Sequence, residues 1–426
     1  MDKQGQKDED SGKEDDMENK KLTKLEKYWI MYDVGNSAFV MLIATIIPIY
    51  FNYLAKSAGI SEVNYLAYWG YAASVSTVIV AAIGPVLGSI ADMQNYKKPL
   101  FTISMMVGVI GCAAMSFPTS WVIFLAVFVI AKVGYNASLI FYDSMLVDIT
   151  STDRMDEVSS QGYAWGYIGS CIPFILSLVL VLMYEKIGIT MHMAMTGAFF
   201  LNAVWWAVVT IPLLRNYRQK NYVAVPSHSV KNSFKRLGQT FMDVHKEKKI
   251  FWYLLAFFFF IDGVYTIIEM ATAYGSALGL DSTGLLLALL VTQIVAFPCA
   301  LICAKLSGKY PTERLIGVCI VAYIGIALFA IQLDKQWEFW TLAVLVGMFQ
   351  GAIQALARSY FAKIIPAEKS GEYFGIYDIC GKGASFMGTT LVGIVAQVTG
   401  VANAGVAVIA VLFVIGYILF KKAVRA

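Results

Sequence analysis

The chain has 426 residues, of which 58% are hydrophobic and 15% are Asp, Glu, Lys or Arg, and its net charge is +4. A water-soluble domain carries about 25% charged residues, so this composition excludes an ordinary soluble fold and implies a chain solvated by lipid. The modest net charge points to no nucleic-acid partner.

Residues 1–28 open the chain with acidic runs, Asp8-Glu9-Asp10 and Glu14-Asp15-Asp16. Such a segment buries too little apolar surface to fold, so a disordered tail without a cleavable signal peptide is expected. Twelve apolar stretches follow, each near the ~20 residues a helix needs to cross a bilayer. The first six run Trp29–Leu54, Tyr65–Ala91, Pro99–Phe117, Trp121–Val147, Gly162–Tyr184 and Met191–Leu214. The last six run Ile250–Leu278, Thr283–Lys305, Glu313–Leu333, Trp337–Ile364, Tyr373–Val398 and Val401–Phe420, the final pair divided only near Gly400. Tyr28-Trp29, Tyr68-Trp69, Trp121, Trp252-Tyr253 and Trp337 mark span ends, where amphipathic rings settle among headgroups. The chain is thus expected to be an all-α membrane protein of two six-helix halves, residues 29–214 and 250–426, joined by a basic linker, 215–249.

The linker carries nine of the 33 Lys and Arg. Phe234, Leu237, Phe241 and Val244 recur in it at helical spacing among Lys231, Lys235, Arg236 and Lys248, which suits either an amphipathic helix on the membrane surface or a solvated connection. If the termini are cytoplasmic, 25 basic residues lie at that face and three, Lys56, Lys186 and Lys335, at the other. The positive-inside rule therefore predicts cytoplasmic termini.

A charge in the hydrocarbon layer costs a few kcal/mol at least, about 3 on insertion scales, so charges inside spans are candidates for function. Asp33, Asn36 and Ser37 share one face of the first span. They read as a solute or proton site, or as a hydrated edge. Lys132, Asn136 and Asp143 form a stripe on the fourth span, for solute contact or for neutralising a carboxylate on a neighbouring helix. Asp262, Tyr265 and Glu269 share a face of the seventh span and suggest titration or cation binding. Asp378 and Lys382, four residues apart, read either as a self-satisfied pair or as solute ligands. Gln350, Gln354 and Arg358 repeat every four residues along the tenth span, lining a cavity or joining helices. Pro48, Gly84-Pro85, Pro173 and Pro298 interrupt spans as kinks or bending points. The six cysteines lie in apolar stretches without paired spacing, and the three histidines fall at span edges or beyond. No metal, cofactor or catalytic constellation is expected, and a membrane-embedded transferase lacks its residues.

After the second span the chain reads Gly88-Ser-Ile-Ala-Asp92-Met-Gln-Asn-Tyr-Lys97-Lys98. This resembles the loop motif of the major facilitator superfamily, with Met93 in place of an arginine. The counterpart in the second half, Leu306-Ser-Gly-Lys-Tyr-Pro-Thr-Glu-Arg314, carries Gly308 where the aspartate would stand. The resemblance implies that Gly88, Asp92, Lys97 and Lys98 latch the halves on the cytoplasmic side. More specific are Tyr32-Asp-Val-Gly-Asn-Ser-Ala-Phe39, Asp262-Gly-Val-Tyr-Thr-Ile-Ile268, Thr283-Gly-Leu-Leu-Leu-Ala288 and Gln293-Ile-Val-Ala-Phe-Pro298. To these are added Phe141-Tyr142, Val158-Ser159, Gly162-Tyr163, Gly166-Tyr-Ile-Gly169, and Gly351-Ala-Ile-Gln-Ala-Leu-Ala-Arg-Ser359 with Phe374-Gly375 and Gly381-Lys382. Together they resemble the autophagy-related vacuole effluxer family and its bacterial relatives, over nearly the whole chain.

That resemblance implies a twelve-helix major facilitator, and its yeast members are associated with release of amino acids from the vacuole. Lys132, Asp143, Glu269 and Asp378 depart from the family pattern, so a more highly charged cavity is expected, suited to a zwitterion or cation. The expected function is secondary transport of a small polar solute by alternating access. Asp262, Glu269 and Asp33 are candidates for proton coupling. Asn36, Lys132, Asn136, Asp143, Tyr265, Gln354, Arg358, Asp378 and Lys382 are candidates for solute contact. A non-transporting sensor or scaffold is the alternative. Compact loops favour a bacterial plasma membrane over a vacuolar one. The expected partners are the solute and the lipid, with the chain a monomer.

Overall fold

In a computed structural model, residues 21–223, 238–240, 242–277, 279–400 and 402–426 are described. Among them are twelve helices long and apolar enough to cross a bilayer. In chain order these are α1 (Lys24–Ser57), α2 (Glu62–Ala91), α3 (Lys97–Ala114), α4 (Trp121–Ser144), α5 (Met155–Leu182) and α6 (Met191–Asn216). The second half comprises α7 (Lys248–Ala277), α8 (Ser282–Ser307), α9 (Thr312–Ile331), α10 (Gln336–Ile364), α11 (Ser370–Thr399) and α12 (Ala402–Arg425). The expected tail and linker motifs at residues 1–20, 224–237 and 241 lie outside the described residues.

Local chemistry sets the boundaries. Thr23 and Glu26 close a reciprocal capping box at the start of α1, five residues ahead of the expected Trp29. Pro48 removes a backbone donor and crowds the carbonyl four residues earlier. A π turn over Leu42–Ile46 precedes it, and α1 continues without a break to Ser57. The division between the last two spans is real: Gly400 caps α11 with φ of +71°, a left-handed conformation that glycine adopts without a steric cost. α5 starts at Met155, not Gly162, because its charged first turn packs against the other half instead of facing lipid.

The two halves repeat one packing scheme. In the first, α1 packs on α5 and α6, α4 on α2 and α3, and α6 on α3 and α5. In the second, α7 packs on α11 and α12, α10 on α8 and α9, and α12 on α9 and α11. Each pair recurs six helices later, the internal repeat of a two-bundle transporter. The halves meet through α2–α11, α5–α8, α5–α10 and α4–α11. With twelve spans between them, the start of α1 at Lys24 and the end of α12 at Arg425 lie at one membrane face, here the terminal side.

At the α2–α11 crossing the backbones nearly touch. A Cβ on Gly88 would stand 2.1 Å from the Gly371 carbonyl oxygen, and one on Gly375 would stand 2.7 Å from Pro85 Cα. Small residues at such crossings let main chains approach. Gly88→Ala is expected to lower the thermal stability of the purified protein by about 1–3 kcal/mol, the range for overpacking. Gly325→Ala, with nothing near its Cβ position, serves as the neutral comparison in the same melting assay.

Candidate functional site

The inter-half hydrogen bonds and ion pairs among the described residues gather toward the terminal side, in three groups. The deepest is built on Arg358 of α10, only 2% exposed. Its Nη2 donates to Asp33 Oδ2 at 3.3 Å and its Nη1 to Asp143 Oδ1 at 3.0 Å. Its Nε donates to Ser159 Oγ at 2.9 Å, and Nη2 also donates to the Ser159 carbonyl at 3.1 Å. Three rings surround the guanidinium: Trp29 at 4.6 Å, Tyr142 at 5.4 Å and Tyr163 at 4.5 Å. Asp33, Asp143 and Ser159 come from α1, α4 and α5, so one side chain of the second half ties three helices of the first. Gly162 leaves the room: a Cβ there would stand 2.4 Å from Asp33 Oδ2 and 3.2 Å from Arg358 Nη2.

The second group is the loop between α2 and α3. Asp92 is fully buried and accepts from the backbone N–H of Gly371 at 2.7 Å and of Glu372 at 2.9 Å. It thus caps the first turn of α11 from the opposite half, where unpaired N–H groups and the helix dipole favour an anion. Lys97 Nζ lies 3.9 Å from Asp92 and 3.6 Å from Asp148, and it donates to Ser370 Oγ at 2.8 Å. Burial pushes the Asp92 carboxyl up to about 7, against the opposing pull of Lys97 and the two N–H groups. The start of the linker is strapped to this group. Tyr217 donates to Asp148 Oδ2 at 2.6 Å, the Asn221 N–H donates to Asp148 Oδ1 at 2.8 Å, and the Val223 N–H donates to the Asp92 carbonyl at 2.8 Å.

The third group is its counterpart in the internal repeat, with the carboxylate moved. Asp156, in the first turn of α5, accepts from Thr312 Oγ1 at 2.5 Å, Ser359 Oγ at 2.6 Å and Lys363 Nζ at 2.6 Å. Gly308 therefore leaves no gap. The loop before α9 lacks its aspartate, and the facing helix supplies one.

Above these groups, toward the middle of the bilayer, lie charges from both halves. The half-buried Lys132 of α4 lies within electrostatic reach of Glu269 on α7 and Lys382 on α11. Lys382 pairs with Asp378 one turn earlier on the same helix. Tyr265 lies within reach of Asp378, Asp143, Glu269 and Arg358. Glu269 is exposed on its spanning helix and lies within electrostatic reach of Lys132 and Tyr265.

The expected residues divide accordingly. Lys132, Tyr265, Glu269, Asp378 and Lys382 are linked by electrostatic reach between the two halves, while Gln354 is half-buried on α10. The Asp262 stripe splits. Asp262 is 0% exposed and packs against α11, its Oδ1 accepting from the Gly388 N–H at 2.9 Å and the Thr266 hydroxyl at 3.3 Å. Arg358 is not free for solute in this state, because each guanidinium nitrogen is committed to the first half. Asn36 and Asn136 are buried on α1 and α4, and Asn36 Nδ2 stands 3.5 Å from Asp33 Oδ1. Lys98 stands outside the contacts of Asp92, which Lys97 alone makes among the two lysines. The site candidates drawn from the sequence do not include Trp29, Tyr142, Asp156, Ser159 and Tyr163. Four of these five stand in or beside the motifs quoted for the family resemblance, and that was the available signal.

Comparison with known proteins agrees with this architecture. The family model described as vacuole effluxer Atg22 like matches residues 23–153 and 147–425. An uncharacterized MFS-type transporter of Bacillus subtilis, YxiO, is 41% identical over 94% of this chain and 95% of its own. Autophagy-related protein 22 of Coccidioides immitis is 21% identical over 78% of this chain and 68% of its own. Among solved structures, the major facilitator superfamily transporter FucP in the outward conformation superposes with a TM-score of 0.72 at 10% identity, over 94% of this chain and 97% of that one. A bacterial homologue of the iron transporter ferroportin in an outward-facing state gives a TM-score of 0.67 at 12% identity, over 95% and 99%.

Proposed function

Because the chain belongs to the family of vacuole effluxers like Atg22, multi-pass membrane transporters of major facilitator fold, we propose that it carries a small zwitterionic or cationic solute of the amino-acid kind by alternating access. The observation that carries this reading is that Lys132, from the first half, lies within electrostatic reach of Glu269 and Lys382, from the second, with Asp378 paired to Lys382. Opposite charges placed on both walls suit a solute bearing both signs, and a site between halves is where rocking changes access. The similarity to a Bacillus subtilis transporter supports a bacterial plasma membrane, and the distribution of Lys and Arg supports cytoplasmic termini, so that the terminal side is the inner face and this state is outward-facing.

Movement is coupled to protons, with Glu269 the first carrier by virtue of its exposed position in the crevice and Asp262 the second. The test is uptake of radiolabelled amino acids and amines into proteoliposomes with and without an inward pH gradient. Wild-type uptake is expected to rise with the gradient, and Glu269→Gln is expected to keep exchange while losing the gradient's effect. Gradient-driven uptake that survives Glu269→Gln removes Glu269 from the coupling. Binding without any uptake marks a sensor instead.

A further inference from the structure

We propose that Asp33, Asp143, Trp29, Tyr142 and Tyr163 form a binding site for an organic cation, an ammonium or guanidinium group of the solute, and that Arg358 fills this site while the terminal side is closed. The proposal rests on the alternating-access reading and adds to it the chemistry of one ligand group.

Two carboxylates flanking a cation, with three aromatic rings at 4.5–5.4 Å, make up the chemistry that recognises an organic cation. All five residues belong to α1, α4 and α5 of the first half, whereas the cation they hold belongs to α10 of the second. Two of the walls are held without it. Trp29 Nε1 donates to the Tyr142 carbonyl at 3.0 Å, the Tyr142 hydroxyl donates to the Trp29 carbonyl at 3.2 Å, and the two rings stack at 4.4 Å. Gly162 keeps the floor open, since any Cβ would enter the space shared by Asp33 and Arg358. The site is therefore built from one half, with two of its three rings held by contacts within that half.

Opening the terminal side must draw α10 away from α1, α4 and α5 and take the guanidinium with it. Two carboxylates and three rings then face the crevice without a cation. An ammonium or guanidinium on the solute restores the lost partners, so solute and Arg358 compete for one place. The solute's cation stabilises the open state by the amount it gains there, and a ligand shifts an equilibrium only through such a difference.

The test uses ethylguanidinium as the probe and N-ethylurea as its neutral analogue. In the first arm, millimolar ethylguanidinium is expected to raise the melting temperature of Arg358→Ala by several degrees and N-ethylurea to leave it unchanged. In the second, spin labels on Gln94→Cys and Glu368→Cys, exposed positions flanking the Asp92 contact, report the terminal-side distance in otherwise wild-type protein freed of native cysteines. Ethylguanidinium is expected to lengthen that distance, and Asp33→Asn is expected to abolish the response. Rescue of Arg358→Ala without the second response reduces the cage to a pocket for a structural arginine and overturns the proposal, as does an equal effect of N-ethylurea. Should Arg358→Ala fail to fold, the second arm decides alone. Neither arm measures flux. Both responses without uptake keep the cation site and remove the transporter reading, whereas uptake without the second response removes the cation site only.

Discussion

Arg358→Met is expected to open the terminal side. The substitution retains much of the side chain's length and removes the charge that Asp33 and Asp143 share. Breaking a buried ion pair by deleting one partner costs about 3–5 kcal/mol, since the remaining charge is stranded in a poorly polar place. Here two carboxylates are stranded, and the Ser159 hydroxyl and carbonyl also lose a donor. Separation of the halves lets water reach both carboxylates, so the cost falls on the closed state. At 1.4 kcal/mol per factor of ten, a shift of about a hundredfold or more toward the open state follows. Pulsed distance measurement between labels on Gln94→Cys and Glu368→Cys reads this directly, with a longer population replacing the short one. Arg358→Lys, which keeps a cation but loses the fork that reaches Asp33, Asp143 and Ser159 together, is expected to fall between the two.

The second large effect is expected from Asp92→Ala. The carboxylate is the acceptor for two backbone N–H groups at the start of α11, and its loss leaves both donors without their partner in a buried interface. An unsatisfied buried donor costs about 1–3 kcal/mol, so roughly 2–6 kcal/mol is at stake before water enters. The loss is local in the first instance. Hydrogen–deuterium exchange is expected to accelerate at the amides of Gly371 and Glu372, while the amides within α8, which Asp92 does not touch, keep their rates. Unchanged exchange at residues 371 and 372 would mean that these N–H groups are protected by something other than Asp92.

Both effects involve contacts between residues far apart in the chain, and this is where the sequence is informative in part only. The spans are legible because each is a local property: about twenty apolar residues, bounded by charges or by a residue such as Gly400. The exception shows the limit. α5 begins seven positions before the hydropathy suggests, because Asp156 is buried against Thr312, Ser359 and Lys363 of the other half, and apolarity cannot show a satisfied charge.

Helical spacing likewise groups residues on a face without stating what the face meets. Lys132 and Asp143 do lie along one stripe of α4, yet one reaches the crevice charges and the other reaches Arg358. Asp262 and Glu269 share a stripe of α7, yet one packs on Gly388 and the other is exposed. Trp29 carries the sharpest lesson. Its position at a span end suggests an interfacial ring, whereas it is 0% exposed and forms a wall of the Arg358 cage with Tyr142, a residue 113 positions away. The Asp378–Lys382 pair, by contrast, was legible because both partners sit on one helix turn.

In alternating access the two faces of the protein open in turn, and the contacts of Arg358, Asp92 and Asp156 would hold one of the two states. The most direct measurement pairs the terminal-side labels with a second pair on the far side, at Phe117→Cys and Trp337→Cys, which are both exposed there, one in each half. In lipid nanodiscs, Arg358→Met is expected to lengthen the first distance and shorten the second. A far-side distance that stays fixed, or that lengthens together with the first, would contradict it, for the halves would then be coming apart and not rocking about a shared crevice.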